Sequence, residues 1–278
     1  MKIQDKNIVV TGAASGIGKA LAKSFSNHNA NSIVLVDIDE NALKASASEV
    51  NGLAIVGDIS NEESIVEIIN KSNEHMNSID IFCSNAGIGG APGLINTTED
   101  DWQKIWQVNV MSHIYAAKHL IPQMIKQGEG YLVNTASAAG LLTQIGSAGY
   151  SVTKSAAISF AEWLKITYGE RGIGVSCLCP QGVSTSMVND APQVIKDIVS
   201  IDGILEPEVV AEDVIHAIEN DEFLITPHKQ VMKYIQMKSS QPDVWISAMQ
   251  SLQEQFIEGI RAAAPDDYKL TQEETTKD

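Results

Sequence analysis

The sequence is short of arginine and of long apolar segments, and each shortage excludes a class of protein. Of the 19 basic residues only Arg171 and Arg261 are arginines, while acidic residues number 35, for a formal net charge of −16. Nucleic acids and anionic membranes are bound through positive charge, so neither is an expected partner. With so few arginine forks, an anionic cofactor would have to be held by backbone N–H groups. No apolar run approaches the roughly 18 residues of a membrane span.

Cysteine is also scarce. Cys83, Cys177 and Cys179 form neither a CxxC motif nor a disulfide framework. We expect them to be small buried residues in a reducing compartment, which makes the cytoplasm the expected location. The first residues lack the apolar stretch of a signal peptide, in agreement with that location. Cys177 and Cys179 are expected to alternate between the two faces of a strand. The histidines show no metal-ligand spacing, so no metal is expected.

What the sequence does contain is an alternation of short β-branched segments with helical segments. The predicted strands are 7–12, 32–37, 53–58, 78–87, 130–137 and 172–180, with 222–227 as a possible edge strand. The predicted helices lie between them, including two stretches across 98–127 and a long helix over 149–169. Continuous apolar strands separated by helices are typical of a parallel sheet that is buried on both faces. The pattern therefore predicts an α/β fold, a Rossmann-like doubly wound parallel sheet flanked by helices.

The domain organisation is expected to be simple, because no linker or repeat interrupts the pattern. Residues 1–262 are predicted to form a single domain that ends in a helical C-terminal extension. The segment 184–206 has many apolar residues and no strand pattern, and we expect it to be a substrate lid. Residues 263–278 are polar and are expected to form a disordered tail.

A glycine-rich turn follows the first strand. In "VVTGAASGIGKAL", Gly12, Gly16 and Gly18 lie between a strand and a helix, where glycine lets the backbone approach a pyrophosphate. The N–H groups and dipole of the following helix would face that anion. Ser15 and Ile17 lie within the same turn and are expected to contact the cofactor.

Asp37 ends the second strand and predicts which dinucleotide is bound. A carboxylate there can accept hydrogen bonds from an adenosine ribose and would repel a 2′-phosphate. Ser15 and Ile38 flank the same pocket and supply no cation, so NAD is expected rather than NADP. The alternative for Asp37 is a cap on the next helix, a position that Asp39 also suits.

Further cofactor contacts are expected at the ends of two more strands. Asp58 and Ile59 follow the third strand, where a carboxylate would bond the adenine amino group; a helix cap is an equally good interpretation of Asp58. Asn85, Ala86 and Gly87 follow the fourth strand, whose carboxyl end should face the cofactor crevice.

These motifs together resemble the short-chain dehydrogenase/reductase family over roughly residues 4–227. "TGAASGIG" is similar to its cofactor turn and "SNAG" (84–87) to its Asn-Ala-Gly signature. Asn109, Ser137, and the pair Tyr150 and Lys154 match its catalytic asparagine, serine and Tyr-x-x-x-Lys motif. "PQGVSTSM" (180–187) resembles its Pro-Gly segment beside the nicotinamide, with Gln181 inserted. That segment adds four expected cofactor contacts, which are Pro180, Gly182, Val183 and Thr185.

The resemblance implies a reaction and a role for each matched residue. A secondary alcohol would lose a proton to Tyr150 while its hydride passes to NAD+. Lys154 and the cationic nicotinamide would both favour the phenolate and so lower the pKa of Tyr150, and Lys154 would also bond the nicotinamide ribose. Ser137 would stabilise charge on the substrate oxygen. Asn109 would hold a water that links Lys154 to solvent. Taken alone, a tyrosine and a lysine four residues apart would more often be a surface pair on a helix.

The substrate and the assembly are less tightly constrained. Apolar residues in the lid, and Leu141, Leu142 and Ile145 between the serine and the tyrosine, favour a neutral, apolar alcohol or ketone, such as an alicyclic, steroid-like, terpenoid or aryl compound. The same leucines could instead be core. The resemblance also implies a homo-oligomer, with a tetramer favoured. Two alternatives stay open, an NADP-dependent carbonyl reductase and a dinucleotide-binding sensor or scaffold without turnover.

Overall fold

A single parallel sheet organises the chain. The structure, a computed structural model, describes residues 1–268. Its strands are β1 (Asn7–Thr11), β2 (Ser32–Asp37), β3 (Leu53–Val56), β4 (Ile81–Ser84), β5 (Gly130–Thr135), β6 (Ile173–Leu178) and β7 (Leu224–Ile225). They pair in the order β3-β2-β1-β4-β5-β6-β7, and every pair is parallel. The predicted doubly wound sheet is confirmed, and 222–227 does supply its edge strand.

Helices cover both faces of this sheet, because its strands are apolar on both sides. Along β1, Ile8 and Val10 pack into one apolar layer and Val9 into the other. The helices up to the fourth strand are α1 (Gly16–Asn27), α2 (Glu40–Glu49) and α3 (Glu62–Met76). Those that follow are α4 (Glu99–Trp106), α5 (Ser112–Gln127), α6 (Ala138–Leu142), α7 (Ala148–Tyr168), α8 (Ser186–Asn189), α9 (Gln193–Val199) and α10 (Pro207–Asn220).

The predicted pair of helices across 98–127 is not separated by a loop. A π-helical turn, Gln107–Met111, joins α4 directly to α5. Single π-turns inside helices are rare and occur frequently at functional sites. This one contains Asn109, the asparagine matched to the family.

Three further helices form the C-terminal extension, and they pack on the lid segment and on α6. They are α11 (Gln230–Ser240), α12 (Pro242–Gln255) and α13 (Ile257–Ala263). Trp245 of α12 is buried against Leu142 and Ala138 of α6. Ile260 of α13 is buried against Val194 and Ile198 of α9. The extension therefore covers the same end of the molecule as the lid.

The beginning of the predicted disordered tail has specific contacts. Ala264 is buried, and the carboxylate of Asp267 accepts the backbone N–H groups of Leu94 (2.7 Å) and Ile95 (2.8 Å). For residues 263–268 the expectation of disorder is therefore wrong, because a carboxylate supplies partners that the backbone of 94–95 would otherwise lack. The rest of that prediction, 269–278, lies outside the described residues.

The expectation that Cys177 and Cys179 alternate between faces of a strand is also wrong. Side chains in a strand repeat every two residues, so positions i and i+2 share a face. The two sulfur atoms lie 3.8 Å apart, and both residues are buried in the layer that contains α5 and α7. Within residues 1–268 no helix is long and apolar enough to cross a membrane.

Candidate active site

The ends of three neighbouring strands are joined by one threonine and one asparagine. The hydroxyl of Thr11, at the end of β1, accepts the N–H groups of Asn85 (2.9 Å) and Ala86 (3.1 Å) and donates to the carbonyl of Cys83 (3.2 Å). The side chain of Asn85 donates to the Thr11 carbonyl (3.0 Å) and accepts from the Thr135 hydroxyl at the end of β5 (3.2 Å). Asn85, expected as a cofactor contact, thus uses its side chain to hold β1, β4 and β5 together where the strand order reverses.

The glycine turn fits a diphosphate by its shape and its donors. Gly12 and Gly16 have φ of +67° and +52°, a region that favours glycine. A Cβ on Gly18 would lie 2.0 Å from the Gly12 carbonyl oxygen, so only glycine allows α1 to start this close to β1. Ser15 is the N-cap of α1, but its side chain makes no capping hydrogen bond. The backbone N–H groups of the first turn, including that of Ile17, are therefore without a side-chain cap and suit an anion.

The segment 180–187 closes against this turn. A Cβ on Gly16 would lie 2.9 Å from the methyl group of Thr185. The carbonyl of Pro180 accepts the Ala138 N–H (2.9 Å), and the carbonyl of Gly182 accepts the Leu205 N–H (3.0 Å). Val183 is buried, and the Thr185 hydroxyl donates to its carbonyl (3.3 Å). Of the four residues expected here, Thr185 thus lies against the glycine turn, Pro180 is bonded to the start of α6, and Gly182 is bonded to the end of the lid.

Asp37 is held at the end of β2 by backbone N–H groups. One carboxylate oxygen accepts from Ala14 (3.0 Å) and the other from Ile38 (2.7 Å) and Asp39 (3.2 Å). Asp39 caps α2, accepting from Asn41 and Ala42. The helix-cap alternative for Asp37 is therefore excluded, and its carboxylate is fixed beside the glycine turn.

Asp58 and Ile59 lie at the end of the neighbouring strand β3. Asp58 is exposed and accepts the N–H of Ser60 (2.9 Å), while Ile59 is buried. The cap of α3 is Asn61, whose side chain accepts from Ser64. The cap interpretation of Asp58 is thus wrong. Its part in cofactor binding remains a prediction.

Asn109 fixes the backbone that follows the Asn-Ala-Gly signature. Its fully buried side chain accepts the N–H of Ile88 (2.9 Å) and donates to the carbonyl of the same residue (2.9 Å) and to the Thr153 hydroxyl (3.3 Å). A Cβ on Gly87 would lie 3.2 Å from Asn109 Oδ1. The observed role of this side chain is therefore to position the loop, and the water relay expected of it stays a prediction.

Ser137 and Tyr150 are neighbours in the site. Ser137 is the N-cap of α6; its hydroxyl accepts from Ala139 (3.1 Å) and lies within hydrogen-bonding distance of the Pro180 carbonyl (3.3 Å). Burial raises the pKa of Tyr150, and the neighbouring Ser137 hydroxyl offsets only part of that rise. In the chain without a cofactor the pKa of Tyr150 is therefore raised, and the depressed pKa expected beside a cationic nicotinamide stays a prediction. Desolvation outweighs the neighbouring groups, so the phenol is protonated at neutral pH.

Lys154 is a buried cation directly behind the tyrosine. It is 2% exposed, and its ammonium donates to the carbonyl of Thr135 (3.0 Å). The nitrogen lies 5.7 Å from the centre of the Tyr150 ring. Burial lowers the pKa of Lys154 to about 8. The interpretation of these two residues as a surface pair is therefore excluded. Burial opposes the ionised form of both the Tyr150 phenol and the Lys154 amine.

Comparison with known proteins agrees with this geometry. Residues 6–195 match the family model described as short chain dehydrogenase. The chain belongs to the short-chain dehydrogenase family. It is 33% identical over 218 residues to meso-2,3-butanediol dehydrogenase from Serratia marcescens, covering 76% of this chain and 86% of that protein.

Two further relatives extend the comparison. Human estradiol 17-beta-dehydrogenase 11 is 30% identical over 226 residues, which cover 78% of this chain and 73% of that protein. A short-chain dehydrogenase/reductase from Burkholderia phymatum, solved in complex with NAD, superimposes with a TM-score of 0.81 at 25% identity, covering 88% of this chain and 96% of that one. This short-chain dehydrogenase is therefore an oxidoreductase, and the two relatives compared above are named as dehydrogenases of butanediol and estradiol.

Several residues of the site were not found from the sequence. Gln181, noted only as an insertion, donates to Asp202 in the lid (3.0 Å), and Tyr234 of α11 donates to the same carboxylate (3.0 Å). The N–H of Gln181 donates to His228 (3.3 Å). Leu142 and Ile145 were expected to line the substrate wall. Leu142 is instead buried with Trp245 of α12, and Ile145 is buried with Val194 and Ile198 of the lid and Ile260 of α13. No local pattern marks these contacts, since each joins segments far apart in the sequence.

The buried ammonium of Lys154 predicts a pH-dependent stability. Between pH 8 and its ordinary pKa of 10.5, the unfolded chain retains a proton that the folded chain has lost, so the free energy of unfolding rises with pH. Relative to Lys154→Met, the wild type should gain up to about 3 kcal/mol between pH 7 and pH 10.5. Urea denaturation of both proteins at several pH values measures this gain. A pH-independent difference between them would contradict a depressed lysine pKa.

Proposed function

We propose that this protein interconverts a secondary alcohol and a ketone with NAD+/NADH. The observation that carries the proposal is the meeting of Ser137, Tyr150 and Lys154 beside the glycine turn, at the carboxyl edge of the sheet. The residues that would hold the dinucleotide are those of the turn, Asp37, and the backbone of Ala86 and Gly87. When bound, the nicotinamide supplies the site for hydride transfer, and the protein supplies binding and proton transfer.

Each catalytic side chain has one task. Tyr150 takes the hydroxyl proton of the alcohol, and returns it in reduction. Since burial raises the pKa of Tyr150 in the chain alone, its ionisation depends on added positive charge close by. Lys154 supplies such a charge from behind the ring when protonated. Ser137 donates to the substrate oxygen, and Asn109 keeps the loop at Ile88 in place.

Removal of the phenol hydroxyl should stop turnover and leave binding intact. Tyr150→Phe is expected to lower kcat by about 100-fold or more, because general acid–base catalysis contributes on that scale. NADH affinity, measured by fluorescence titration, should remain close to wild type. Tyr115→Phe is the control, because among residues 1–268 that hydroxyl bonds to Gln107 and to no group of the proposed active site. Dinucleotide binding by a wild type that turns over no alcohol or ketone would favour the sensor or scaffold instead.

NAD rather than NADP is proposed on the basis of Asp37. Its carboxylate is fixed by three N–H groups and would bond the ribose hydroxyls, whereas a 2′-phosphate would meet like charge. The neighbouring Ile38 is exposed and uncharged. The Burkholderia phymatum relative was solved with NAD. An NAD preference in turn favours oxidation as the direction of use.

Asp37→Ala tests this preference. The KM for NAD+ should rise roughly 10- to 100-fold, the effect of losing hydrogen bonds to a charged group, while the KM for NADP+ should fall. Asp39→Asn is the matched control, because asparagine retains the α2 cap. A wild type that used NADP+ more efficiently than NAD+ would establish the carbonyl-reductase alternative.

A neutral, apolar substrate is proposed because the walls offer few cations. The lid contains apolar residues and no arginine, and its Val194 and Ile198 pack with Ile145 and Ile260. Lys238, which reaches α6 from α11, donates to the carbonyl of Leu141 (2.6 Å). The butanediol and estradiol dehydrogenases named above take their names from neutral alcohols. Apolar walls with few polar anchors suit such molecules.

A panel of alcohols measures the charge preference directly. We expect kcat/KM for alicyclic, steroid-like, terpenoid and aryl alcohols to exceed that for carboxylated or phosphorylated alcohols by about tenfold or more, since an unpaired anion is desolvated at a cost. Met187→Lys, at an exposed position of the lid, should raise activity toward anions, whereas Val209→Lys, at an exposed position of α10, should not. Faster reaction of the anionic alcohols with the wild type would refute the proposal.

A homo-oligomer, with a tetramer favoured, is proposed on the basis of an apolar face of α7. Val152, Trp163 and Ile166 lie on one side of that helix, and Ile166 is 76% exposed. A second copy is the proposed occupant, because a stripe along a 21-residue helix can pair with itself about a two-fold axis.

We further propose that the assembly is cytoplasmic, which cell fractionation would test.

Light scattering on size-exclusion fractions tests this assembly. Trp163→Glu should reduce the mass in solution, because it places a charge in the contact. Val244→Glu on α12 is the control, since Val244 is equally exposed but on another helix. A monomeric wild type would refute the proposal.

A further inference from the structure

His113 is a buried histidine to which the proposed mechanism gives no role. It lies in the first turn of α5, four residues after Asn109, and is 1% exposed. Neither ring nitrogen has a hydrogen-bond partner among residues 1–268. A buried imidazole without partners costs free energy, and folded proteins satisfy such atoms with ordered water or a ligand. His113 therefore marks a place for a small polar molecule.

A second buried side chain leaves an atom unpaired in the same layer. Asn134, the penultimate residue of β5, is 2% exposed, and its Nδ2 has no partner among the described residues. Its neighbours at i−2 and i+2, Leu132 and Ala136, pack with Ala116 of α5. Since side chains in a strand repeat every two residues, Asn134 faces α5 as they do. Asn134 and His113 thus point into one layer near the carboxyl end of the sheet.

Lys154 borders this layer. Its ammonium donates to the carbonyl of Thr135, the residue after Asn134, and an ammonium has two further N–H donors. Burial, followed by the charge of Lys154, lowers the pKa of His113 to about 3. The imidazole therefore stays neutral at physiological pH, with one nitrogen that donates and one that accepts.

We propose that His113 is a positioning residue, which together with Asn134 holds an internal water molecule hydrogen-bonded to the ammonium of Lys154. The water accepts an N–H of Lys154 and donates to the imidazole, so the ammonium is held from two sides behind Tyr150. This role rests on the proposed function, because it acts through the lysine of the proposed acid–base pair. It involves no covalent or redox step.

Three other titratable side chains face the region around His113 and Lys154. Tyr150 lies on α7 with Lys154, Cys177 lies on β6, and Cys179 follows directly after that strand. The contact with Cys179 and burial raise the pKa of the Cys177 thiol, so that thiol stays protonated. A change in the ionisation of the active site on loss of His113 would therefore report on Lys154 and Tyr150.

Two variants of His113 separate positioning from packing. His113→Phe fills the space and removes both nitrogens, whereas His113→Gln retains a donor and an acceptor. We expect His113→Phe to lower kcat for alcohol oxidation about 10- to 100-fold, with an unchanged KM for NAD+, and to shift the ascending limb of the kcat pH profile. His113→Gln should restore most of kcat and the wild-type profile. His119→Gln on the same helix, whose histidine bonds Glu62 at 2.7 Å, should have the wild-type profile.

Equal losses in both His113 variants, or a wild-type pH profile in His113→Phe, would overturn the proposal. Nitrogen NMR of the wild-type protein tests the proposal without measuring activity. It applies even if the His113 variants do not fold or the wild type does not oxidise alcohols. In nitrogen NMR of histidine-labelled wild-type protein, the His113 ring should stay neutral from pH 5 to 9, with both nitrogens hydrogen-bonded. Its signals should shift in Lys154→Met. Ring nitrogens without hydrogen bonds, or signals insensitive to Lys154→Met, would refute the water site even if the enzyme is active.

Discussion

The active site depends on keeping one lysine ammonium inside the protein. Lys154 is almost completely buried, and a single carbonyl, that of Thr135, is its observed partner. Burial opposes the charge of the lysine and also opposes the ionisation of Tyr150 beside it. The two groups are therefore held in a balance that an added charge or hydrogen bond can tip. The sheet edge, the π-turn and α6 all serve to hold that pair in place.

The parts of this arrangement that could be predicted from the sequence are those whose signal is local. The strands follow from continuous β-branched runs, and the glycine turn follows from three glycines between a strand and a helix. The pairing of Tyr150 with Lys154 is predicted by their helical spacing and by the family motif. The raised pKa of Tyr150 could not be predicted, because the motif does not indicate how deeply the tyrosine is buried. The two-residue period of a strand places Cys177 and Cys179 on one face. The expectation that they alternate between faces was wrong because it did not apply that period.

Contacts between distant segments account for the rest. The polar connections of Gln181 to Asp202 and His228 join the lid base to the C-terminal extension, and no spacing in the sequence indicates them. The expectation of disorder for residues 263–268 was wrong for a related reason. "AAAPDD" has the composition of a flexible segment, yet Ala264 is buried and Asp267 binds two backbone N–H groups. Composition describes an isolated segment, whereas these partners lie at 94–95.

The contact of Asp267 with the 94–95 backbone also bears on biosynthesis. Gly93, beside that backbone, bonds the carbonyl of Gly146 in the segment just before Tyr150, so both segments depend on residues made much later. A chain emerging from the ribosome can build the sheet and the glycine turn first. The loop at 94–95 gains its contact with Asp267 only after residue 267 has been synthesised. The glycine turn should therefore reach its final arrangement earlier in synthesis than the loop at 93–95, which lies beside the segment before Tyr150.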